Sequence, residues 1–339
     1  MPTKYNWSDP KQPPLLHPHS IAKHEIIETY LKRYIEMATS NFRRKKLRLT
    51  IIDGFCGGGI YYHAETKTPY PGSPLIFLKT IRKIENNAKK KHKGFCIDAA
   101  YYFIDRDADA LNSLKLQLKK SGYSKLIGNS VFLLKGNFSE LYPTLAQIIS
   151  SRGSCILFLL DQYGYKDAPI HLIKQILQGF PDAEILLTFA VDAMLNYISN
   201  GNQFRSYTRK LEPRGRLLSD KDIKEAKQLK KLGTKRKPSD WRIIISRKLL
   251  KRIVELCGKP HCAPYFIVSK NSHRAYWLLH LSGSIKSRNE MLKLHRIYHN
   301  TSKTLADDKI LGFDPRIENS IKCIETAGNS GSQSDQILS

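Results

Sequence analysis

The chain has 339 residues, with 56 Lys or Arg against 30 Asp or Glu, a formal charge of +26. A hydrophobic content of 41% with 10% aromatic residues excludes a disordered chain and suffices for one large α/β domain with an insertion, or for two modest domains. The basic surplus points to a polyanionic partner, nucleic acid first, with a merely solubilising surface as the alternative.

The first twenty residues, MPTKYNWSDPKQPPLLHPHS, are polar and Pro-rich. They show neither a signal peptide nor a membrane span, so the expectation is a cytoplasmic protein whose residues 1–19 form an extended arm. Ser20 is placed to cap a helix to about residue 39, in which Ile26, Ile27, Tyr30, Leu31 and Tyr34 recur at helical spacing. Strands and helices then alternate. LRLTIID (47–53) reads as a strand, and SPLIFLKTIRKI (73–84) as a helix capped by Ser73 with Pro74 at its first position. Strands follow at 101–105, 131–137, 155–161 and 184–190, separated by helices at 107–120, 139–150 and 168–178. The rhythm predicts a mostly parallel sheet covered on both faces.

A helix over 192–200 leads into a Lys/Arg-rich segment, 201–252, after which strands return at 263–269 and 274–282 with only a short turn between them. So short a link makes that pair antiparallel. Five parallel strands closed by an antiparallel hairpin form the seven-stranded, Rossmann-like sheet of class I methyltransferases, here with a basic, mostly helical insertion. A helix at about 286–299 and a Gly/Ser/Gln tail end the chain. The expected division is an arm (1–19), a core (20–200), a basic insertion (201–258), the end of the core (259–315) and a flexible tail (316–339).

The six cysteines include no Cys-x-x-Cys pair. Cys257, His261 and Cys262 lack a second pair to close a tetrahedral site, so they read as ordinary reduced residues and no metal is expected. His295 and His299 lack the Glu of a zinc-protease helix.

The loop after the first parallel strand is Asp53-Gly54-Phe55-Cys56-Gly57-Gly58-Gly59. Glycines let a backbone turn tightly beneath a ligand, and an acid at the strand end can accept from the amino group of an aminoacid-nucleoside. The loop lacks the Gly-Lys-Ser/Thr of a nucleoside triphosphate site and the G-x-G-x-x-G of a dinucleotide fold. The next strand ends in Asp105, placed for ribose hydroxyls, with Asp107 as the near alternative. The third ends in Asn137 and Phe138, an amide to read the adenine edge and a ring to stack. Asp53, Gly54, Phe55, Gly57, Gly59, Asp105, Asn137 and Phe138 are thus the candidate S-adenosylmethionine-binding residues.

With Lys23-His24-Glu25-Ile26, IIDGFCGGG (51–59), PGSPL (71–75), FLLDQYG (158–164) and YWLLHLS (276–282) with the downstream Arg288 and Met291, the chain resembles the three-Cys-motif partner protein (TcmP) family across about residues 20–315. The resemblance implies a methyltransferase fold, S-adenosylmethionine binding and a partner protein bearing three cysteines. The family commonly shows Asp-Pro-Phe-Gly after the fourth strand, where this chain has Asp161-Gln162-Tyr163-Gly164. Amino methyltransferases of nucleic acids place a related acid-or-amide, proline and aromatic there. The acid accepts from an exocyclic amine, and the ring stacks on the extracted base. Asp161 and Tyr163 are accordingly the candidate catalytic residues. Gln162 lacks proline's stiffness and could add a hydrogen bond of its own. No Pro-Cys pair follows, which argues against a covalent cytosine-type mechanism.

In the insertion, Arg205, Arg209, Lys210, Arg214, Lys235, Arg236 and Lys237 with Trp241 are candidates for binding nucleic acid, DNA or RNA, through phosphate contacts and stacking. An acidic partner protein is the other reading of this face. Methyl transfer to a base amine is the leading expectation. A non-catalytic or partner-dependent nucleic-acid-binding subunit, and a methyltransferase acting on its cognate partner protein, are the alternatives.

Overall fold

The computed structural model describes residues 5–9, 12–39, 45–91, 94–162, 167–189, 195, 198, 201–211, 217–233, 240–258, 260–268 and 275–301. The expected tail and most of the expected helix 192–200 lie outside them. Strands run in chain order β1 (Leu15–Leu16), β2 (Lys46–Asp53), β3 (Ile60–His63), β4 (Pro69–Pro71), β5 (Cys96–Asp105), β6 (Val131–Lys135), β7 (Cys155–Leu160), β8 (Glu184–Phe189), β9 (His261–Val268) and β10 (Ala275–Ser282). Helices are α1 (Pro18–Thr39), α2 (Ser73–Lys91), α3 (Ala108–Lys120), α4 (Phe138–Ser150), α5 (Ile170–Gly179), α6 (Gly201–Leu211), α7 (Asp220–Gly233), α8 (Asp240–Leu256) and α9 (Ile285–Thr301).

The main sheet has seven strands in the order β6-β5-β2-β7-β8-β10-β9. β6, β5, β2, β7 and β8 pair in parallel, whereas β10 is antiparallel to both β8 and β9. The order reverses at β2, which starts the parallel series, so a crevice opens beyond the carboxyl ends of β5, β2 and β7. This is the α/β, Rossmann-like sheet of the class I methyltransferase fold with its antiparallel carboxy-terminal hairpin.

β8 is buried at every position because helices cover both faces. On one face Tyr30 of α1, Phe77 of α2, Leu114 of α3 and Met291 of α9 share an apolar cluster with β2, β5 and β7. On the other, Tyr142 of α4 and Ile173 of α5 join Ile223 of α7 and Leu249 of α8. The basic insertion is therefore helical and buries an apolar face in the sheet's own core. Lys248 holds α7 to α8 through Asp222 and Glu225, each at 2.7 Å. Among the described residues no helix is long and apolar enough to cross a membrane.

Three features depart from the sequence reading. β1, β3 and β4 form a small separate sheet, with β1 parallel to β3 and β4 antiparallel to it. The amino-terminal arm is extended but anchored: Leu16 is 2% exposed, and Trp7, at 6%, packs on the Gly-rich loop. Ser73, expected to cap α2, instead donates its hydroxyl to Asp53.

α1 is fixed to the sheet by a buried polar cluster. The Tyr30 hydroxyl donates to Glu184 Oε2 of β8, and His280 Nε2 of β10 lies 2.8 Å from both that oxygen and the Tyr30 hydroxyl. Burial, and then the Glu184 carboxylate, push the Tyr30 hydroxyl's pKa well up, so it stays a proton donor.

Candidate cofactor and acceptor site

The Gly-rich loop is held by the ends of the strands on either side of β2. Gly54 N–H donates to the Leu159 carbonyl (2.9 Å) and Cys56 N–H to the Ile104 carbonyl (2.9 Å). Phe55 N–H donates to Asp53 Oδ1 (3.1 Å), and Gly57 N–H to Asp105 Oδ2 (3.0 Å). Four successive amides are thus engaged by the scaffold. What the loop offers a ligand is close backbone approach rather than an amide nest. Gly57 needs its glycine, because φ is +62° and a Cβ would fall 2.5 Å from the Tyr61 hydroxyl.

A cavity of about 320 Å³ opens beside this loop. Gly54, Phe55, Gly57, Asp105, Asn137 and Phe138 all line it, as do Asp161 and Gln162 at the end of β7. The groups expected at three strand ends therefore converge on one hollow, of a size at the lower end of small-molecule sites. Asp105 engages the amides of Gly57 and Asp107 (2.9 Å), and each of its oxygens retains a lone pair for a ligand hydroxyl. Burial raises the Asp105 carboxyl's pKa against these amides. Asp107 lines the cavity too, but caps α3 by accepting from Asp109 N–H at 3.0 Å. Asn137 leads into α4 with its amide NH₂ donating to Glu140 at 2.9 Å, so its carbonyl oxygen is the group left to accept.

Two expected ligand residues do other work. Asp53 is fully buried and does not line the cavity: Ser73 Oγ donates to its Oδ2 at 2.6 Å and Phe55 N–H takes Oδ1. It ties the loop to α2. Burial pushes its carboxyl up to about 7 against these two donors. Gly59 also lies off the cavity; with φ +88° it turns the chain so that its carbonyl accepts from Gly72 N–H at 2.7 Å. Phe138 reaches the cavity, but at 1% exposure its ring is packed among Phe55, Tyr142 and Phe158 and forms a floor rather than a free stacking face.

The arm supplies part of the lining. Trp7 meets Tyr61 edge-on at 5.0 Å, and Tyr5 meets Tyr61 at 5.4 Å, all three on the cavity wall. Trp7 takes the space a Cβ on Gly58 would need, 2.2 Å from the ring. Trp277 and Leu278 of β10 also line the cavity.

At the end of β7, Asp161 meets a residue that spacing alone did not single out. Lys23 Nζ of α1 lies 2.5 Å from Asp161 Oδ1, with side-chain exposures of 12% and 22%. Burial would raise the Asp161 carboxyl, but the Lys23 ammonium outweighs it and holds the group below the ordinary carboxylate range. Asp161 is thus an ionised acceptor. His24 also lines the cavity, stacked on Tyr70 at 6.0 Å. Burial, and then the Lys23 charge, lower its pKa to about 4, so the ring is neutral near pH 7. Its Nδ1 and the Gln162 amide nitrogen are buried without a hydrogen-bond partner among the described residues. Such groups are uncommon in folded chains unless a ligand or water meets them.

Tyr163 lies outside the described residues, as do Arg214, Lys235, Arg236 and Lys237 and the side chains of Lys210 and Trp241. Arg209 is exposed, and Arg205 is exposed but paired with Asp220 at 2.9 Å. Cys257 is buried, and no group of three or more His, Cys, Asp or Glu among the described residues could hold a metal ion.

No protein-family profile matches the chain, and no curated protein does. Among solved structures it is similar to the plantazolicin methyltransferase BamL, solved with a triazolic desmethylplantazolicin analogue and S-adenosylhomocysteine: 12% identity over 78% of this chain and 88% of that one, TM-score 0.29. It is also similar to a protein assigned as an rRNA-methylase from Clostridium thermocellum, at 10% identity over 73% and 93%, TM-score 0.31. A third is a protein assigned as a sarcosine dimethylglycine methyltransferase from Galdieria sulphuraria, at 10% over 75% and 86%, TM-score 0.30. Likenesses this faint carry no weight for the site or its substrate.

Proposed function

We propose that the chain is an S-adenosylmethionine-dependent methyltransferase acting on an exocyclic amine of a nucleic-acid base. The observation behind this reading is the single cavity onto which Gly57, Asp105, Asn137 and Asp161 converge at the strand-order reversal of the sheet. Asp105 would offer lone pairs to ribose hydroxyls, the Asn137 amide would accept from the adenine amine, and Gly54 and Gly57 would allow the nucleoside to lie close to the loop. When bound, S-adenosylmethionine supplies an electrophilic methyl group on sulfur. Asp161, kept ionised by Lys23, accepts a hydrogen bond from the target amine and orients its lone pair.

The nucleic-acid substrate is supported by the charge of +26 and by an insertion that follows β8, the strand beside Asp161's own. A partner protein bearing three cysteines belongs to the same proposal and rests on the sequence resemblance alone. The test is transfer of a labelled methyl group to DNA, to RNA and to such a partner protein in parallel. Nucleic acid is expected to be labelled, and Asp161→Ala to lose transfer while still binding S-adenosylhomocysteine. Label on the protein alone, or full transfer by Asp161→Ala, would contradict the reading.

A further inference from the structure

Gln162 stands where the resemblance leads one to expect proline, and it is 3% exposed. Its Oε1 accepts from Ala168 N–H at 3.1 Å. A backbone N–H can only donate, so the carbonyl end of the amide is fixed there and the NH₂ end faces the other way. That NH₂ has no partner among the described residues, although Gln162 lines the cavity beside Asp161. Asp161 in turn gives Oδ1 to Lys23, which leaves lone pairs on the carboxylate to accept with. Consecutive residues on the wall of one cavity thus carry an acceptor and a buried, unpartnered donor.

We propose that Gln162 is a specificity-determining residue: its amide donates to the ring nitrogen beside the target amine, so that the site selects adenine or cytosine. This rests on the base-methyltransferase reading above. The complement of acceptor-then-donor is donor-then-acceptor. Adenine shows it as N6–H beside N1, and cytosine as N4–H beside N3. On the same edge guanine places N1–H beside its amine, which opposes the Gln162 NH₂, and uracil and thymine have no amine. The amide's locked orientation is what turns a tolerant hydrogen-bonding residue into a discriminating one.

Gln162→Glu is the cleanest variant, because a carboxylate still accepts from Ala168 N–H but cannot donate. The full chain would be given labelled S-adenosylmethionine and oligonucleotides rich in A, C, G or T/U, as DNA and as RNA. A second set would carry 1-deazaadenine or 3-deazacytosine, which lack the ring nitrogen. Wild type should label A or C, and lose about tenfold to a hundredfold in kcat/KM on the deaza substrate. Gln162→Glu should lose as much on the natural base and little more on the deaza one, with S-adenosylhomocysteine binding unchanged. Label on guanine, indifference of the wild type to the deaza base, or full activity of Gln162→Glu would overturn the inference and leave the methyltransferase reading standing. A wild type that binds no S-adenosylhomocysteine or labels no oligonucleotide would overturn that reading, and the inference with it.

Discussion

Lys23 and Asp161, 138 residues apart in sequence, meet at 2.5 Å in the lining of the cavity. The contact binds the start of α1 to the end of β7 and sets the charge state of the proposed acceptor residue. Lys23→Met would leave a partly buried carboxylate without its cation. The expected loss is about 1–3 kcal/mol in urea unfolding at pH 7, below the range for fully buried pairs because both side chains retain some exposure. Since Asp161's folded-state pKa is depressed, the pair's contribution is present above the ordinary carboxylate range and fades as pH falls through the lowered value. Wild type and variant should converge in acid.

Gly58→Ala tests the anchoring of the arm. Gly58 is not in the left-handed region, so the substitution strains no backbone; the atoms nearest the added Cβ belong to the Trp7 ring, the first at 2.2 Å. Tryptophan emission should shift to the red as Trp7 is displaced, with a loss of about 1–3 kcal/mol. In a Trp7→Ala background the same glycine change should be nearly neutral, which separates crowding by the ring from a general defect of the loop.

Ser73→Ala removes the donor from Asp53 Oδ2. A buried carboxyl already raised to about 7 would rise further, at a cost of about 1–3 kcal/mol. A raised acid stabilises the fold fully below its unfolded value, and that contribution is lost as pH climbs through the folded one. The variant's deficit should therefore be larger at pH 8 than at pH 5, measured by thermal unfolding at both.

His295 predicts the opposite slope. It is fully buried against Tyr265 at 4.5 Å, and burial, then His280, lower its pKa to about 3. Its neutral form is favoured in the fold, so stability is full above about 6.5, the unfolded value, and falls as pH drops from there toward 3. His295→Phe should flatten that acid limb of the curve of melting temperature against pH, while His24, lowered to about 4, still contributes to it.

The large elements were legible because β7, covered on both faces, must read as an unbroken apolar run, and because β9 and β10 are joined by too short a link to be parallel. The site was legible only in outline. Position at a strand end does not say which way a side chain turns: Asp105 faces the cavity, whereas Asp53, with the same claim in sequence, turns under the loop to Ser73. β1, β3 and β4 have two to four residues each, too few for any period to show. Lys23 and His24 entered the sequence reading only as part of the stretch that carries the resemblance; the fold, by bringing α1 to the end of β7, puts them beside Asp161.

The most direct test of the account is a calorimetric titration of the wild-type chain with S-adenosylhomocysteine. Saturable binding at one site per chain is predicted, in the micromolar range or tighter, and weakened when Asn137→Ala removes the amide at the end of β6. No heat of binding, with adenosine and S-adenosylmethionine equally silent, would contradict it.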